Sequence, residues 1–187
     1  MTENKLKEEI FFRFGPVTRA RGCFLYTKKG VRLTDLYQAG GRAVLGWGGG
    51  DAFTRLKNVM NRGLTGSFVT EYTPQIHKAV SELLGGKFKV FYSSKKMEEM
   101  AFWEPWNPES EKINSSEPVC FLPPLPWTDN IYLVCVPEEK VSSWENKSDF
   151  MDLPSPIVAG ITRSVYDLIA AIKERQEKDW FVYDQIL

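Results

Sequence analysis

Apolar residues recur with a helical period in three stretches of the chain. Ala52, Leu56, Val59, Met60 and Gly63 follow the 3.6-residue repeat and predict a helix that Asp51 caps. Ile76, Val80, Leu83 and Leu84 form the stripe of a second, with Thr73 as its cap, Pro74 at its first position and Gly85 past its end. Ser155 and Pro156 open a third and longer helix, carrying Val158, Ile161, Val165, Leu168, Ile169 and Ile172 on one face. A period of two marks the strands. Phe88, Val90 and Tyr92 alternate with lysines over residues 87–92, and residues 119–122 and 131–136 are apolar runs of buried-strand length. Residues 24–27 and 31–33 flank Lys28-Lys29-Gly30 as the arms of a hairpin. A further helix is expected after Ser94 through Trp103, an exposed loop over 104–118, and irregular chain over 138–152. The two periods interleave, so the class is α/β with α+β as its alternative: a mixed sheet with helices packed on it.

Length and charge narrow the function classes. A chain of 187 residues is enough for one compact domain, with residues 1–15 as an arm that carries a short amphipathic piece at 6–12. Lys+Arg and Asp+Glu both number 24, so no net field draws the chain to nucleic acid or membrane; local basic patches stay open. No run of about 18 apolar residues is seen, and the charged N-terminus lacks the apolar core of a secretory signal. Cys23, Cys120 and Cys135 are odd in number and lie in apolar runs, which reads as reduced thiols in a cytoplasmic protein. Six Trp and twelve Phe point to a large core or an apolar association surface.

From Gly22 to Gly50 the chain runs strand, glycine turn, strand, then a glycine-studded loop. Gly22, residues 24–26, Gly30, residues 33–36, Gly40, Gly41, Leu45 and Gly46 resemble the N-terminal portion of class III aminotransferases, pyridoxal-phosphate enzymes of fold type I. The resemblance covers residues 16–85 and leaves 86–187 unassigned. It implies part of the PLP-dependent transferase fold and a homodimer, because the family's N-terminal segment packs across a subunit interface. The departures are equally specific. Trp47 stands where the family places a His, and no Asp-Glu-x-x-x-Gly-x-Gly-Arg pattern occurs between 87 and 187. Lys95, Lys96 and Lys112 lie in polar runs rather than in the setting of a Schiff-base lysine. Pyridoxal phosphate is therefore not expected as a cofactor, and no catalytic residue is assigned.

The candidate binding residues are Gly46, Trp47 and Gly48, in a glycine loop before a helix, and Ser93 and Ser94, at the end of a strand. Backbone amides at a helix start can hold a phosphate, but Asp51 there would repel an anion and neither nucleotide-loop motif is matched. A structural turn is the competing reading; for Ser94 it is a plain helix cap. His77 is the sole histidine and has no metal partner at ligand spacing, so no metal is expected. Glu98-Glu99 and Glu138-Glu139 are sequence neighbours whose side chains diverge. The hexamer Leu122-Pro123-Pro124-Leu125-Pro126-Trp127 reads as a rigid packed loop, with docking to a WW- or SH3-type groove as the alternative. The expectation is a dimeric, non-catalytic binding or accessory protein. Its alternative is a small-molecule binder or enzyme, for an amino acid or a phosphate-bearing vitamer, with a pocket near residues 46–51.

Overall fold

The computed structural model describes residues 3–95, 118–128, 130–144 and 149–177. In chain order its elements are α1 (Glu3–Phe14), β1 (Val17–Arg21), β2 (Phe24–Thr27), β3 (Arg32–Thr34), α2 (Ala52–Asn61), α3 (Tyr72–Leu84), β4 (Phe88–Ser93), β5 (Val119–Phe121), β6 (Tyr132–Pro137) and α4 (Ser155–Glu177). The strands form two antiparallel three-stranded sheets, ordered β1-β2-β3 and β4-β6-β5. The α/β class holds in its α+β form, with two small sheets in place of one mixed sheet. The helix expected through Trp103, the loop at 104–117, Lys96, Lys112, Glu98-Glu99 and the closing residues 180–187 lie outside the described residues.

The main core forms where α4 packs against α2 and α3, and α3 lies along β4. Ile76, Phe88, Leu125, Leu133 and Ile161 are completely buried there, and burial of each such side chain contributes about 1.5–3 kcal/mol. Strand β6 is covered on both faces. Leu133 and Cys135 point into the main core, while Val134 and Val136 join Cys120 in a second cluster, with Phe91 stacked on Phe150 at 4.6 Å. That two-sided burial explains why residues 131–136 read as a continuous apolar run. Residues 155–174 of α4 have the length and hydropathy, 1.2, to cross a membrane, but 56% of the window is buried inside the fold, as in a core helix.

Three caps differ from expectation, and at Asp51 and Ser155 the side chain is used for a longer-range contact. Asp51 occupies the cap position of α2 but makes no capping bond; its carboxylate accepts from Arg163 Nη2 at 3.2 Å. Helix α3 starts two residues earlier than predicted, with Glu71 at the cap, and Thr73 Oγ1 accepts from the Thr70 amide at 3.2 Å. The Ser155 hydroxyl, fully buried, donates to the carbonyls of Gly66 and Phe68 and accepts from the Phe68 amide at 3.0 Å, stapling loop 66–68 to α4. Gly85 closes α3 in the left-handed conformation (φ 72°), as its position predicts.

The N-terminal sheet stands apart from this core. Neither hydrophobic cluster takes a residue before Ala52. Strand β1 escapes sequence reading because Val-Thr-Arg-Ala-Arg is exposed along its whole length and shows no apolar alternation; its backbone pairing with β2 makes it a strand.

Candidate functional site

The loop at 46–51 is built as a junction. Trp47 donates its amide to the Gly22 carbonyl at 3.0 Å and its indole Nε1 to Asp35 Oδ2 at 2.7 Å. The other oxygen of Asp35 accepts from the amides of Tyr37 and Gln38. Gly46 has φ 76°, and a Cβ on it would lie 2.7 Å from the Gly22 Cα, so the two backbones touch where any side chain would intrude. The amides of Gly46, Gly49 and Ala52 donate to carbonyls of the same loop. The amide of Asp51, at the start of α2, donates to Asp167 Oδ2 at 3.1 Å. A carboxylate of the protein itself thus sits where the helix terminus would receive a phosphate. Gly48 is exposed and carries no such contact. The turn reading describes this loop.

Ser93 and Ser94 do not join it: no hydrogen bond or ion pair links them to residues 46–51 among the described residues. Ser93 is fully buried and its hydroxyl accepts the Lys95 amide at 3.1 Å, whereas Ser94 is exposed. Lys95 Nζ pairs with Asp149 at 2.7 Å, a solvated ion pair rather than a masked amine. The five candidate residues therefore do not converge into a cradle for the phosphate of a pyridoxal cofactor.

His77, Cys120 and Cys135 are engaged or masked, and Cys23 is half-buried. His77 Nδ1 accepts the Val90 amide at 2.9 Å. Strand β4 lies at a sheet edge, so this bond satisfies a ladder donor that has no partner strand on that side. Burial, then the neighbouring Lys89 charge, hold the imidazole below its usual range, against a smaller opposing effect of Glu138. All three cysteines are free; burial pushes the Cys120 thiol up to about 11 and raises Cys135 well above its ordinary value. Desolvation likewise raises Tyr92. No group of three or more metal-ligating side chains occurs among the described residues. Within the proline-rich hexamer, Pro123, Pro124, Leu125 and Pro126 are buried and Trp127 is half exposed, which is the packed-loop reading.

Sequence reasoning did not find the cleft between α2, α3 and α4. It measures about 310 Å³ and is lined by Arg55, Tyr72, Gln75, Thr162, Arg163 and Tyr166, with Glu71 at its edge. Arg163 Nη2 bridges Asp167 Oδ1 at 2.7 Å and Asp51 Oδ2 at 3.2 Å, locking the start of α2 to α4. Its Nε is buried with no acceptor among the described residues. Arg62 pairs with Glu71 at 2.7 Å and holds that carboxyl below its usual range. Arg55 lies with its guanidinium 6.0 Å from the Tyr72 ring and forms no ion pair among the described residues. The one sequence signal was Arg163 with Asp167, an opposite-charge pair at i,i+4 within an otherwise apolar helix.

No family model matches the chain, and no solved structure matches it. An uncharacterized protein of Treponema pallidum (strain Nichols) is 44% identical over 72 residues, which are 38% of this chain and 24% of that protein. The chain therefore spans about a quarter of the length of this relative.

Proposed function

We propose that this chain is a non-catalytic binding or accessory protein of the cytoplasm, an aminotransferase-like remnant that self-associates through its N-terminal region. One observation carries the reading: the first 50 residues supply nothing to either hydrophobic cluster, yet they hold Phe12, Leu36 and Val44 at 85%, 91% and 60% exposure. Large apolar side chains left outside a core are the ordinary material of an association surface. The engaged state of His77, the masked thiols and the occupied start of α2 support the non-catalytic part. Three free cysteines agree with a reducing compartment.

Sedimentation equilibrium of the purified chain tests association: a dimer is expected, and Leu36→Glu together with Phe12→Glu should shift it to monomer. A parent chain that stays monomeric at 100-fold its working concentration removes the association surface. Incubation with pyridoxal phosphate followed by borohydride tests the catalytic remnant. A stoichiometric reduced adduct confined to one lysine overturns the non-catalytic reading, whereas scattered partial labelling of exposed lysines does not.

A second reading, a small-molecule binder, is favoured by the cleft beside Asp51. Arg55 offers an uncommitted cation and Gln75 an amide, the donors that a carboxylate-bearing amino acid or a vitamer phosphate needs. A thermal shift with such a ligand, lost in Arg55→Ala, supports this reading; no shift with any amino acid or phosphorylated vitamer at millimolar concentration removes it.

A further inference from the structure

The balanced charge of the whole chain conceals a strong local imbalance. Residues 11–50 hold seven of the 24 basic side chains (Arg13, Arg19, Arg21, Lys28, Lys29, Arg32 and Arg42) and, with Asp35, one of the 24 acidic ones. The register of the N-terminal sheet then decides where three of these cations point. Arg19 pairs with Tyr26, which pairs with Arg32; Arg21 pairs with Phe24, which pairs with Thr34. Directly paired residues share a face, and Phe24 and Tyr26 lie two residues apart on one strand. All six side chains therefore stand on the same side of the sheet. The opposite side carries Ala20, Leu25 and Leu33, with both leucines half-buried.

The arginines of this face are open to solvent, while Phe24 and Tyr26 beside them are half-buried. Arg19, Arg21, Arg32 and Thr34 are exposed, and no carboxylate pairs with any of the three arginines among the described residues. The guanidinium of Arg32 lies 4.7 Å from the Phe24 ring centroid and that of Arg19 lies 5.5 Å from that of Tyr26. These are flat, cationic, π-bearing surfaces side by side.

We propose that this face of β1-β2-β3 is a binding platform for single-stranded nucleic acid. Cations follow a phosphate backbone, while aromatic rings and guanidinium planes accept unstacked bases. The spacing fits that use: Phe24 and Tyr26 are about 6.6 Å apart along the strand. That is roughly twice the 3.4 Å rise of a duplex strand, so the platform suits bases that have been splayed. A three-stranded sheet is broader than the two-stranded ribbon that the major groove of B-form DNA admits, and its three arginines in two rows suit one strand better than two. An acidic protein segment would satisfy the charges and leave the rings unused, which is why a nucleic acid is the better fit. Net neutrality of the chain does not oppose this, because screening confines each charge to a radius of about 10 Å at 0.1 M salt.

The test is fluorescence anisotropy of the full chain with a labelled 20-mer of thymidine, its uridine counterpart and a 20-base-pair duplex. Single strands are expected to bind at 50 mM salt more tightly than the duplex. The log–log salt slope should be about −2, as three phosphate contacts give. Arg19→Ala/Arg21→Ala/Arg32→Ala should abolish binding, and Phe24→Leu/Tyr26→Leu should weaken it roughly ten-fold by removing stacking while keeping apolar bulk. Arg21→Gln, which disturbs no ring contact, should weaken it about three-fold and guards against loss of fold as the cause. Lys78→Ala, an exposed cation on α3, should change nothing. Absence of single-strand binding at 50 mM salt overturns the proposal. So does equal binding of the duplex with no effect of the ring variants, and so does capture by phosphatidylserine vesicles in place of either oligonucleotide.

Discussion

The two halves of this fold are held by different forces. From Ala52 onward, α2, α3 and α4 enclose Ile76, Leu125, Leu133 and Ile161 at zero exposure, so apolar burial dominates. Before Ala52, β1, β2 and β3 hold together through a backbone ladder, the Asp35–Trp47 hydrogen bond and the contact of Gly22 with Gly46. Such a unit opens more easily, because few apolar contacts oppose local unfolding. The difference also distributes side chains: the core half exposes Phe53, Phe68 and Trp127, whereas the thin half sets the half-buried Phe24 and Tyr26 beside Arg19, Arg21 and Arg32 on one face.

Truncation of a side chain separates the halves most sharply. Leu125→Ala removes a completely buried side chain from the packed proline loop and should cost about 3 kcal/mol. Leu36→Ala, at 91% exposure, should cost less than about 0.5 kcal/mol. Urea melts of both variants, at a dilution where the chain is monomeric, check the pair. Equal losses would mean that the N-terminal half is packed in solution and that the contrast is false.

Next in size is Gly46→Ala. Its φ of 76° and the Gly22 backbone 2.7 Å from the added methyl combine strain with a clash that no rotamer relieves. A loss of about 2 kcal/mol is expected, confined to the junction. Hydrogen exchange should show faster amides at Trp47 and in β2 and unchanged ones in α3 and β4. Uniform loss of protection would show that the halves unfold as one.

Much of this contrast was legible in the sequence, including the β2–β3 hairpin about Gly30, but more of it on the buried side. The stripes of α3 and α4 and the two-sided run of β6 bury apolar side chains, and a period records burial directly. Strand β1 is exposed throughout and left no such record. Asp51 stands at the predicted cap position but makes no capping bond, Thr73 lost its cap role because α3 starts earlier, and cap statistics describe only local partners. Ser155 instead staples residues 66–68, 87 positions away. The cleft was invisible for the same reason: Arg55 and Arg163 meet only once α2 has packed on α4. The basic face was hidden by summation, since a net count erases the seven-to-one imbalance of residues 11–50.

His77 tests how the core meets its own sheet. His77→Ala leaves the Val90 amide without its acceptor and should cost about 1–2 kcal/mol. The parent should also carry a pH signature that the variant lacks. Because the folded imidazole titrates below its ordinary value of 6.5, the unfolded chain binds the proton more readily. The contribution is complete above pH 6.5 and fades as pH falls through 6.5 toward the lower folded value. Chemical melts at pH 7.5 and 5.5 should show the parent losing stability and His77→Ala losing less. A parent whose stability rose on acidification would reverse the sign and place a carboxylate on the imidazole in solution.

The smallest expected effect bounds the whole comparison. Lys173 reaches Glu82 at 2.7 Å, tying α4 to α3 across an exposed surface where the two side chains retain 62% and 41% of their accessibility. Water screens such a pair and ordering two long side chains opposes it, so Lys173→Ala should change stability by no more than about 0.5 kcal/mol. The apolar stripe of Val158, Ile161, Val165 and Ile169 then carries most of the attachment of α4, beside the Arg163–Asp51 and Ser155 contacts. Raising salt from 0.1 to 1 M should leave the parent's midpoint nearly fixed while it strips a polyanion from Arg19, Arg21 and Arg32. A loss above about 1 kcal/mol in Lys173→Ala would show that surface charge holds α4 in place. Apolar burial would then no longer be the dominant force in the half from Ala52 onward.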